Sequence, residues 1–452
     1  MIPRRLGLAT DLYELTMAAG YFQNQINHEA SFELFIRAMP PNRGYVVLAG
    51  IAQVVEYLTK LRFEDADIDF LRRQPTFAHV DRKFFDFLSD LRFTGSMWAM
   101  PEGVPFFPGE PVLTITAPIT EAQIVETYLL SVINFQSSIA TKAARITQAA
   151  AGRAVIEFGA RRAHGMDAAL YAARAAFVGG CAGTSNVEAG YRFGIPIYGT
   201  AAHSWTMAFD DEMEAFRAFL KVFPGSGTLL IDTYDTLAAA RALTVLGAAV
   251  AGVRLDSGDI CALSKQVRRI LDDAGMTSTR IVASSELDEY RIAGLVAEGA
   301  PIDIFGVGTQ LSTSYDAPTL GAVYKLVEHR TSVSNRSVMK LSAAKETLPG
   351  RKQVWRLEDS MGRAMGDIIT LFEEAGPPNG RPLLRPVILN GRMLEPPPTL
   401  SEIQSRAREW MGALPAEVLR LRDPKGYEVA RSDGLERLRE MVESELSAKR
   451  AR

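Results

Sequence analysis

The stretch TLLIDTYD, residues 228–235, decides the fold because it is a short apolar run that ends in a polar turn. Five similar runs flank it: AVIEFGARRA at 154–163, IPIYGTAAHSW at 195–205, VAGVRLDSGD at 250–259, RIVASSELDE at 280–289 and IDIFGVGTQLS at 302–312. Each run is typical of a buried parallel strand, and segments of helix length separate them. The alternation predicts an α/β fold, either a barrel or a doubly wound sheet.

The polar residues of these turns come directly after the predicted strands. In α/β folds the functional site forms where the carboxyl ends of the strands meet. Those ends carry, besides the glycines of the GVG turn, Arg161, Arg162, His203, Asp232, Arg254, Asp256 and Glu286. Cations, carboxylates, one histidine and a glycine-rich turn on one rim predict an active site that handles anions, above all phosphates.

Composition narrows the class of protein. The chain has 452 residues, of which 47% are hydrophobic, and a net charge of −3. This length suits two or three domains, and the charge gives no reason to expect nucleic acid or a membrane surface as a partner. Two cysteines and five histidines do not favour a structural zinc site. We find no signal peptide and no membrane-spanning run, so we expect a cytoplasmic protein.

The pattern along the chain predicts three domains. Residues 1–125 mix strand-like and helical segments and predict an α+β domain, and residues 126–345 hold the strand-and-turn series of the catalytic domain. Residues 346–452 predict a β-hairpin and helical region, in which VILNGRML carries an Asn-Gly turn typical of a hairpin.

Each candidate residue also has a plainer interpretation. His203 suits the role of a nucleophile or a general acid–base. The plainer interpretation is a histidine that only forms hydrogen bonds within a turn. Arg254 and Asp256 share one face of an extended strand, where they bind an anion and supply an acid, or form a local ion pair. Asp232 suits ribose hydroxyls or a magnesium shell, or caps a helix. Phe158 can stack on a planar ring or belong to the core.

The glycine-rich turns GGCAGTSN and FGVGTQLSTS offer backbone N–H groups to phosphate. Each signal alone is weak, because such turns are common. No Gly-Lys-Ser or Gly-Lys-Thr sequence follows either turn, and GVGTQLS lacks the third glycine of the dinucleotide fingerprint.

Six strings in fixed order resemble nicotinate phosphoribosyltransferases: TDLYELTM, FELFIRAMPPNRGY, EFGARRAHGMDA, GTSNVEAGYRFGIPIYGTAAHSW, RLDSGD and FGVGTQL. The resemblance implies an irregular α/β barrel of the type II phosphoribosyltransferase kind, with an N-terminal α+β domain and a C-terminal extension. It implies that nicotinate and phosphoribosyl pyrophosphate give nicotinate mononucleotide and pyrophosphate, in a step of NAD salvage coupled to ATP hydrolysis. It further implies Mg²⁺ as cofactor, ATP as co-substrate and a homodimer with shared active sites.

The same resemblance assigns roles to individual residues. His203 resembles the histidine that ATP phosphorylates, and Asp256 and Asp232 resemble acidic residues near the ribose. Nicotinate would lie between Phe158 and the partner subunit's tyrosine, which corresponds to Tyr13. The remaining substrate and phosphate contacts implied are Arg37, Arg161, Arg254, Gly306, Gly308 and Thr309. No residue is assigned as a metal ligand.

Ser185 bears on which pyridine is used. It occupies the place where relatives that use the amide have an aspartate. An aspartate accepts from a carboxamide NH₂ but repels a carboxylate, whereas a neutral serine beside Arg161 suits the acid. The resemblance therefore favours nicotinate. The alternatives are a quinolinate or nicotinamide phosphoribosyltransferase, or a catalytically idle homologue that acts as a sensor.

Overall fold

The computed structural model describes residues 5–331, 334–342 and 346–450. Helices there are α1 (Leu12–Gln23), α2 (Ile51–Lys60), α3 (Asp65–Arg72), α4 (Arg82–Asp90), α5 (Ile119–Ile124), α6 (Glu126–Ala149), α7 (Met166–Val178), α8 (Val187–Phe193), α9 (His203–Met207), α10 (Glu212–Val222), α11 (Thr236–Ala242), α12 (Ile260–Asp273), α13 (Glu289–Ala297), α14 (Thr309–Ser312), α15 (Leu400–Gly412) and α16 (Asp433–Arg450). Among these described residues, no helix has both the length and the apolarity that a membrane crossing requires.

The strands in the same ranges are β1 (Glu29–Ile36), β2 (Val46–Val47), β3 (Ser96–Ala99), β4 (Pro105–Phe106), β5 (Leu113–Pro118), β6 (Ala154–Glu157), β7 (Gly183–Thr184), β8 (Thr228–Leu230), β9 (Gly252–Leu255), β10 (Arg280–Ala283), β11 (Ile304–Val307), β12 (Ala322–Arg330), β13 (Asn335–Ser337), β14 (Lys352–Glu358), β15 (Ala364–Leu371), β16 (Gly380–Pro382), β17 (Arg385–Leu389), β18 (Arg392–Met393) and β19 (Val429–Arg431). Short 3-10 turns lie at Leu6–Leu8, Pro75–Phe77, Ala160–Arg162 and Leu243–Ala249.

The chain divides into two compact units. One consists of Met1–Ser137 with Thr319–Arg452, and the other of Ser138–Pro318. The last part of the chain joins the first because β12 pairs with β1 along its length, and β17 pairs with β3. The division into domains at 125 and 345 stays a prediction, and residue 345 lies outside the described residues.

The first unit is built on an antiparallel sheet in the order β13-β12-β1-β5-β3-β17-β18. The buried faces of β1 and β5 form its core with helices α1, α2 and α4. The predicted hairpin is confirmed, since β17 pairs with β18 around the Asn390-Gly391 turn, and β14 and β15 form a second one. Both turn residues have positive φ, 48° and 74°, the conformation that Asn-Gly adopts most readily.

A second sheet of the first unit, in the order β16-β14-β15-β19, buries one arginine completely. Arg356 donates from Nε and Nη2 to the two carboxylate oxygens of Asp367, over 2.9 and 2.7 Å. Its guanidinium also lies 5.2 to 5.6 Å from the ring centres of Phe107, Trp410 and Tyr427. Cation–π contacts and bidentate pairing offset the desolvation of this cation.

The second unit is built on a parallel sheet in the order β7-β6-β11-β10-β9-β8. Leu230 pairs with Arg254, Arg254 with Val282, and Val307 with Glu157, so the strands end side by side at one edge. Five of the six predicted strands are confirmed: β6, β8, β9, β10 and β11. A mixed α/β fold with a parallel sheet is therefore established. Across the fully described range 138–318, no ladder joins the outermost strands β7 and β8.

The prediction of a strand at 195–199 was wrong. This segment meets the sheet through a single isolated bridge between Ile197 and Thr184 of β7, and β7 is the strand that pairs with β6. Pro196 has no N–H to donate to a ladder. Ile197 and Tyr198 are 54% and 50% exposed, which is unlike a buried central strand. His203 consequently follows an extended loop and opens α9.

Candidate active site at the carboxyl ends of the parallel strands

Because the strands are parallel and in register, the residues that follow them lie along one edge of the sheet. Asp232 lies two residues after β8, Asp256 directly after β9, and Ser284 directly after β10. Phe158 follows β6, and its N–H donates to the carbonyl of Val307 at the end of β11 over 2.8 Å. The structure therefore brings together most of the residues predicted for the site.

His203 and Asp232 form the first pair of the site. Nε2 of His203 lies 3.2 Å from Oδ1 of Asp232, whose side chain is only 1% exposed while that of the histidine is 39% exposed. The other carboxylate oxygen of Asp232 accepts from the N–H of Asp256 over 3.0 Å and from the Ser257 hydroxyl over 2.6 Å. Asp232 is thus held in place by the β9 turn and can orient the imidazole.

Arg254 and Asp256 form the second pair. Nη2 of Arg254 lies 3.3 Å from Oδ1 of Asp256, and Nε of Arg254 donates to the Ser284 hydroxyl over 3.0 Å. Ser284 also hydrogen-bonds Asp256, and Nη1 of Arg254 donates to the Thr200 hydroxyl. Burial raises the pKa of Asp256, but the hydrogen bond from Ser284 and the charge of Arg254 outweigh it and hold this pKa below its ordinary value.

Phe158 lies against the glycine turn after β11. A Cβ built at Gly306 would lie 2.5 Å from Cδ2 of the Phe158 ring, so only glycine lets the ring approach the strand this closely. Gly308 precedes α14, which begins at Thr309. The Phe158 side chain is half-buried, so part of it remains accessible to a planar ligand.

Arg161 and Ser185 lie on the turns after β6 and β7. Arg161 belongs to the 3-10 turn Ala160–Arg162 and is exposed. Ser185 is half-buried, and its N–H donates to the carbonyl of Glu157 over 2.9 Å. The Ser185 turn is therefore attached by its backbone to the strand that precedes Phe158.

Tyr13 and Arg37 belong to the first unit. Tyr13 lies on α1 with its side chain 45% exposed, and burial together with the charges of Glu126 and Glu14 raises its pKa. Arg37 follows β1, and its Nε is buried without a hydrogen-bond partner among the described residues. The predicted roles of both residues stay predictions.

Three polar residues of this edge were not predicted from sequence: Thr200, Ser257 and Ser284. Ser284 directly follows an apolar run, the same signal that identified Asp256, so it could have been found. Thr200 directly follows the stretch IPIYG and could have been found in the same way, although that segment is a loop and not a strand. Asp235 caps α11 by accepting from the N–H groups of Leu237 and Ala238 over 3.0 and 2.8 Å. One aspartate of this turn is thus structural.

Within the described residues, no group of three or more histidine, cysteine, aspartate or glutamate side chains is arranged to hold a metal ion. Mg²⁺ in phosphate-handling sites needs no such cage, because one or two carboxylates and the substrate phosphates suffice. The hydrogen bond that the Asp256 side chain accepts from Ser284 goes to Oδ1, and no hydrogen bond reaches Oδ2 in the described ranges. This oxygen fits the need for one carboxylate ligand.

Comparison with known proteins places most of the chain in one family. Family models match at 8–134 (nicotinate phosphoribosyltransferase N-terminal domain), 154–364 (nicotinate phosphoribosyltransferase family) and 376–439 (nicotinate phosphoribosyltransferase C-terminal domain). A nicotinate phosphoribosyltransferase of Mycobacterium tuberculosis is 47% identical over 434 residues, covering 94% of this chain and 91% of the relative. One from Bacillus subtilis is 43% identical over 380 residues, covering 82% and 77%.

A solved structure agrees with these relatives in fold. The crystal structure of human nicotinic acid phosphoribosyltransferase matches with a TM-score of 0.85 and 32% identity, covering 96% of this chain and 99% of the human one. The expected resemblance is therefore confirmed along nearly the full length of the chain. The chain belongs to the nicotinate phosphoribosyltransferase family.

Proposed function

We propose that this protein joins nicotinate to phosphoribosyl pyrophosphate, giving nicotinate mononucleotide and pyrophosphate for NAD biosynthesis. The observation that carries the proposal is the cluster at the carboxyl edge of the parallel sheet, where a histidine–aspartate pair lies beside an arginine–aspartate pair. Curated relatives at 43–47% identity bear the name of this activity. The test is whether purified protein forms nicotinate mononucleotide from nicotinate and phosphoribosyl pyrophosphate.

In the proposed reaction, the pyridine nitrogen of nicotinate forms a bond to C1 of the ribose. The bond from C1 to the pyrophosphate oxygen breaks, and its electron pair leaves with pyrophosphate. Arg254 and the other cations of the edge bind the anionic groups, and Asp256, kept ionised, stabilises positive charge at the ribose. When bound, Mg²⁺ neutralises the diphosphate charge, and Asp256 is the residue that would hold it.

ATP coupling is proposed to run through His203. Nε2 of the imidazole faces Oδ1 of Asp232, so the carboxylate favours the tautomer that carries its proton on Nε2. Nδ1 is then unprotonated and can attack the γ-phosphorus of ATP, with ADP leaving. Water later cleaves the phosphoramidate. The phosphohistidine adds negative charge at the edge of the site and can thereby change substrate affinity.

The Ser185→Asp variant is expected to lose preference for nicotinate. A carboxylate at this position would repel the carboxylate of nicotinate and accept from the NH₂ group of nicotinamide. We expect a change of about 1–3 kcal/mol in relative specificity. The measurement is kcat/KM for each pyridine, with Ser204→Asp, an exposed serine on α9, as the control. An unchanged ratio would mean that this position does not read the ring substituent.

We further propose a homodimer in which Tyr13 stacks on the ring bound in the other subunit. Mixing Tyr13→Ala and His203→Ala chains in equal amounts makes half of the dimers mixed. In each mixed dimer one site is intact and its twin carries both lesions. ATP-coupled activity should therefore recover to about a quarter of wild type. Activity no higher than the mean of the two parents, with mixed dimers confirmed by mass, would rule out shared sites.

Two further properties are proposed. An irregular barrel is supported by the parallel strands of the second unit, and a cytoplasmic location by the sequence expectation. The comparisons do not favour the alternative enzyme, quinolinate phosphoribosyltransferase, and a binding assay with nicotinate and quinolinate separates the two. Turnover of nicotinate would exclude an idle sensor.

A further inference from the structure

Glu157, the last residue of β6, is fully buried behind the turns that carry Phe158 and Ser185. One of its carboxylate oxygens accepts from the N–H of Gly159, one residue beyond Phe158. The other accepts from the hydroxyl of Thr184 over 2.5 Å, one residue before Ser185. A single buried carboxylate thus holds both turns.

Thr184 also forms a hydrogen bond with the residue that follows Ser185. Its Oγ1 accepts from the N–H of Asn186 over 2.9 Å while its hydroxyl hydrogen is donated to Glu157. The side chain of Asn186 in turn accepts from the N–H of Ala189 over 3.1 Å and caps α8. Ser185 therefore lies between two residues whose positions depend on one threonine hydroxyl.

The N–H of Gly159 donates to one oxygen of the Glu157 carboxyl, and the hydroxyl of Thr184 can donate to the other, so both oxygens have a partner. Burial raises the pKa of this carboxyl above its ordinary value, although the hydrogen bonds from Thr184 and Gly159 act to lower it. A buried carboxylate is costly unless it is hydrogen-bonded, so loss of either donor would force the turns to rearrange.

We propose that Glu157 and Thr184 are positioning residues that fix the spacing between the ring-stacking turn and the Ser185 turn and thereby set the selectivity for nicotinate over nicotinamide. The inference rests on the proposed function, because it assumes that Phe158 contacts the pyridine and Ser185 its substituent. Neither Glu157 nor Thr184 is required to touch a substrate.

The decisive variant is Thr184→Val, which keeps the branched shape and removes the hydroxyl. It leaves the N–H of Asn186 and one oxygen of Glu157 without partners. We expect the ratio of kcat/KM for nicotinate to that for nicotinamide to fall about tenfold. The KM for phosphoribosyl pyrophosphate should change less than about twofold, because the Arg254 side is untouched.

Two variants control for general damage. Thr184→Ser keeps the hydroxyl and should keep a ratio near that of wild type. Thr279→Val makes the same chemical change at an equally buried threonine, which donates to the carbonyl of Val250 over 3.0 Å before β10 begins. It should lower stability without moving the ratio. If Thr184→Val does not fold, Glu157→Gln replaces it, since the amide has a single acceptor oxygen and cannot accept from both the Gly159 N–H and the Thr184 hydroxyl.

The outcomes separate this inference from the proposed function. A wild-type ratio in folded Thr184→Val or Glu157→Gln would overturn the inference, as would a Thr184→Ser ratio as low as that of the valine variant. If Ser185→Asp shifts the ratio in the same assay while Thr184→Val does not, only the positioning role fails. If wild-type protein forms no mononucleotide, the proposed function itself fails.

Discussion

Replacing His203 by alanine is expected to abolish the transfer of phosphate from ATP to the protein. The imidazole is 39% exposed and hydrogen-bonds a buried carboxylate, so it is accessible and oriented for attack. Wild-type protein incubated with radiolabelled ATP should carry an acid-labile label, and His203→Ala should carry none. His79→Ala, at an exposed histidine of the first unit, is the matched control and should label fully.

Asp232→Asn tests the reason for this reactivity. The amide matches the carboxylate in size but carries no negative charge. It therefore favours the tautomer with the proton on Nε2 less strongly. The labelling rate should fall about a hundredfold or more, by analogy with the loss of an orienting carboxylate in a catalytic triad. Labelling of His203→Ala with the stoichiometry of wild type would assign the phosphorylated residue elsewhere and leave the phosphoribosyl transfer unaffected.

Removal of the buried Arg356 is expected to have the largest effect on stability. Arg356→Met would leave the buried carboxyl of Asp367 without its cationic partner, next to Glu110. Loss of one partner of a buried ion pair costs about 3–5 kcal/mol. Arg363→Met is the control, since its guanidinium is 66% exposed and pairs with Asp359 at the surface, where pairs contribute about 1 kcal/mol or less. Urea unfolding of both variants measures the difference.

The same cluster predicts a pH dependence of stability. Burial and the neighbouring charge of Asp367 raise the pKa of Glu110 well above its ordinary value, although Arg356 acts to lower it. The folded state therefore holds a proton that the unfolded state releases. The contribution of protonated Glu110 to the free energy of unfolding is fully present below the ordinary pKa of glutamate. It is lost as pH rises through the raised pKa. Glu110→Gln should remove this loss.

If Arg356→Met lowers the free energy of unfolding no more than Arg363→Met does, the cluster around Arg356 is not a major source of stability. If the unfolding free energy of Glu110→Gln shows the same pH profile as that of wild type, Glu110 is not the titrating group. Neither outcome bears on the chemistry of the second unit.

The sequence predicted the parallel strands well because each is a short apolar run that ends in polar residues. That rule also located Asp232, Arg254 and Asp256, which depend only on the strand ends. It failed at 195–199, where the apolar run contains Pro196 and packs as a loop beside β7. Apolar content alone does not distinguish a strand from a segment that lacks a donor for the ladder.

The supporting contacts of the site were beyond the reach of sequence patterns. Thr184 and Glu157 are 27 residues apart, and Arg254 and Ser284 are 30 apart. Their contacts exist only because parallel strands bring distant turns to one edge. The long-range pairing of β12 with β1 could not be predicted either, since the composition of a strand does not specify its partner.

The most direct test of the central claim is a product assay. Purified protein is incubated with nicotinate, phosphoribosyl pyrophosphate and Mg²⁺, with and without ATP, and the products are separated by chromatography. We predict nicotinate mononucleotide and pyrophosphate in equal amounts, formed faster with ATP, and no mononucleotide when quinolinate replaces nicotinate. Failure to form nicotinate mononucleotide under either condition, with protein shown to be folded, would contradict the account.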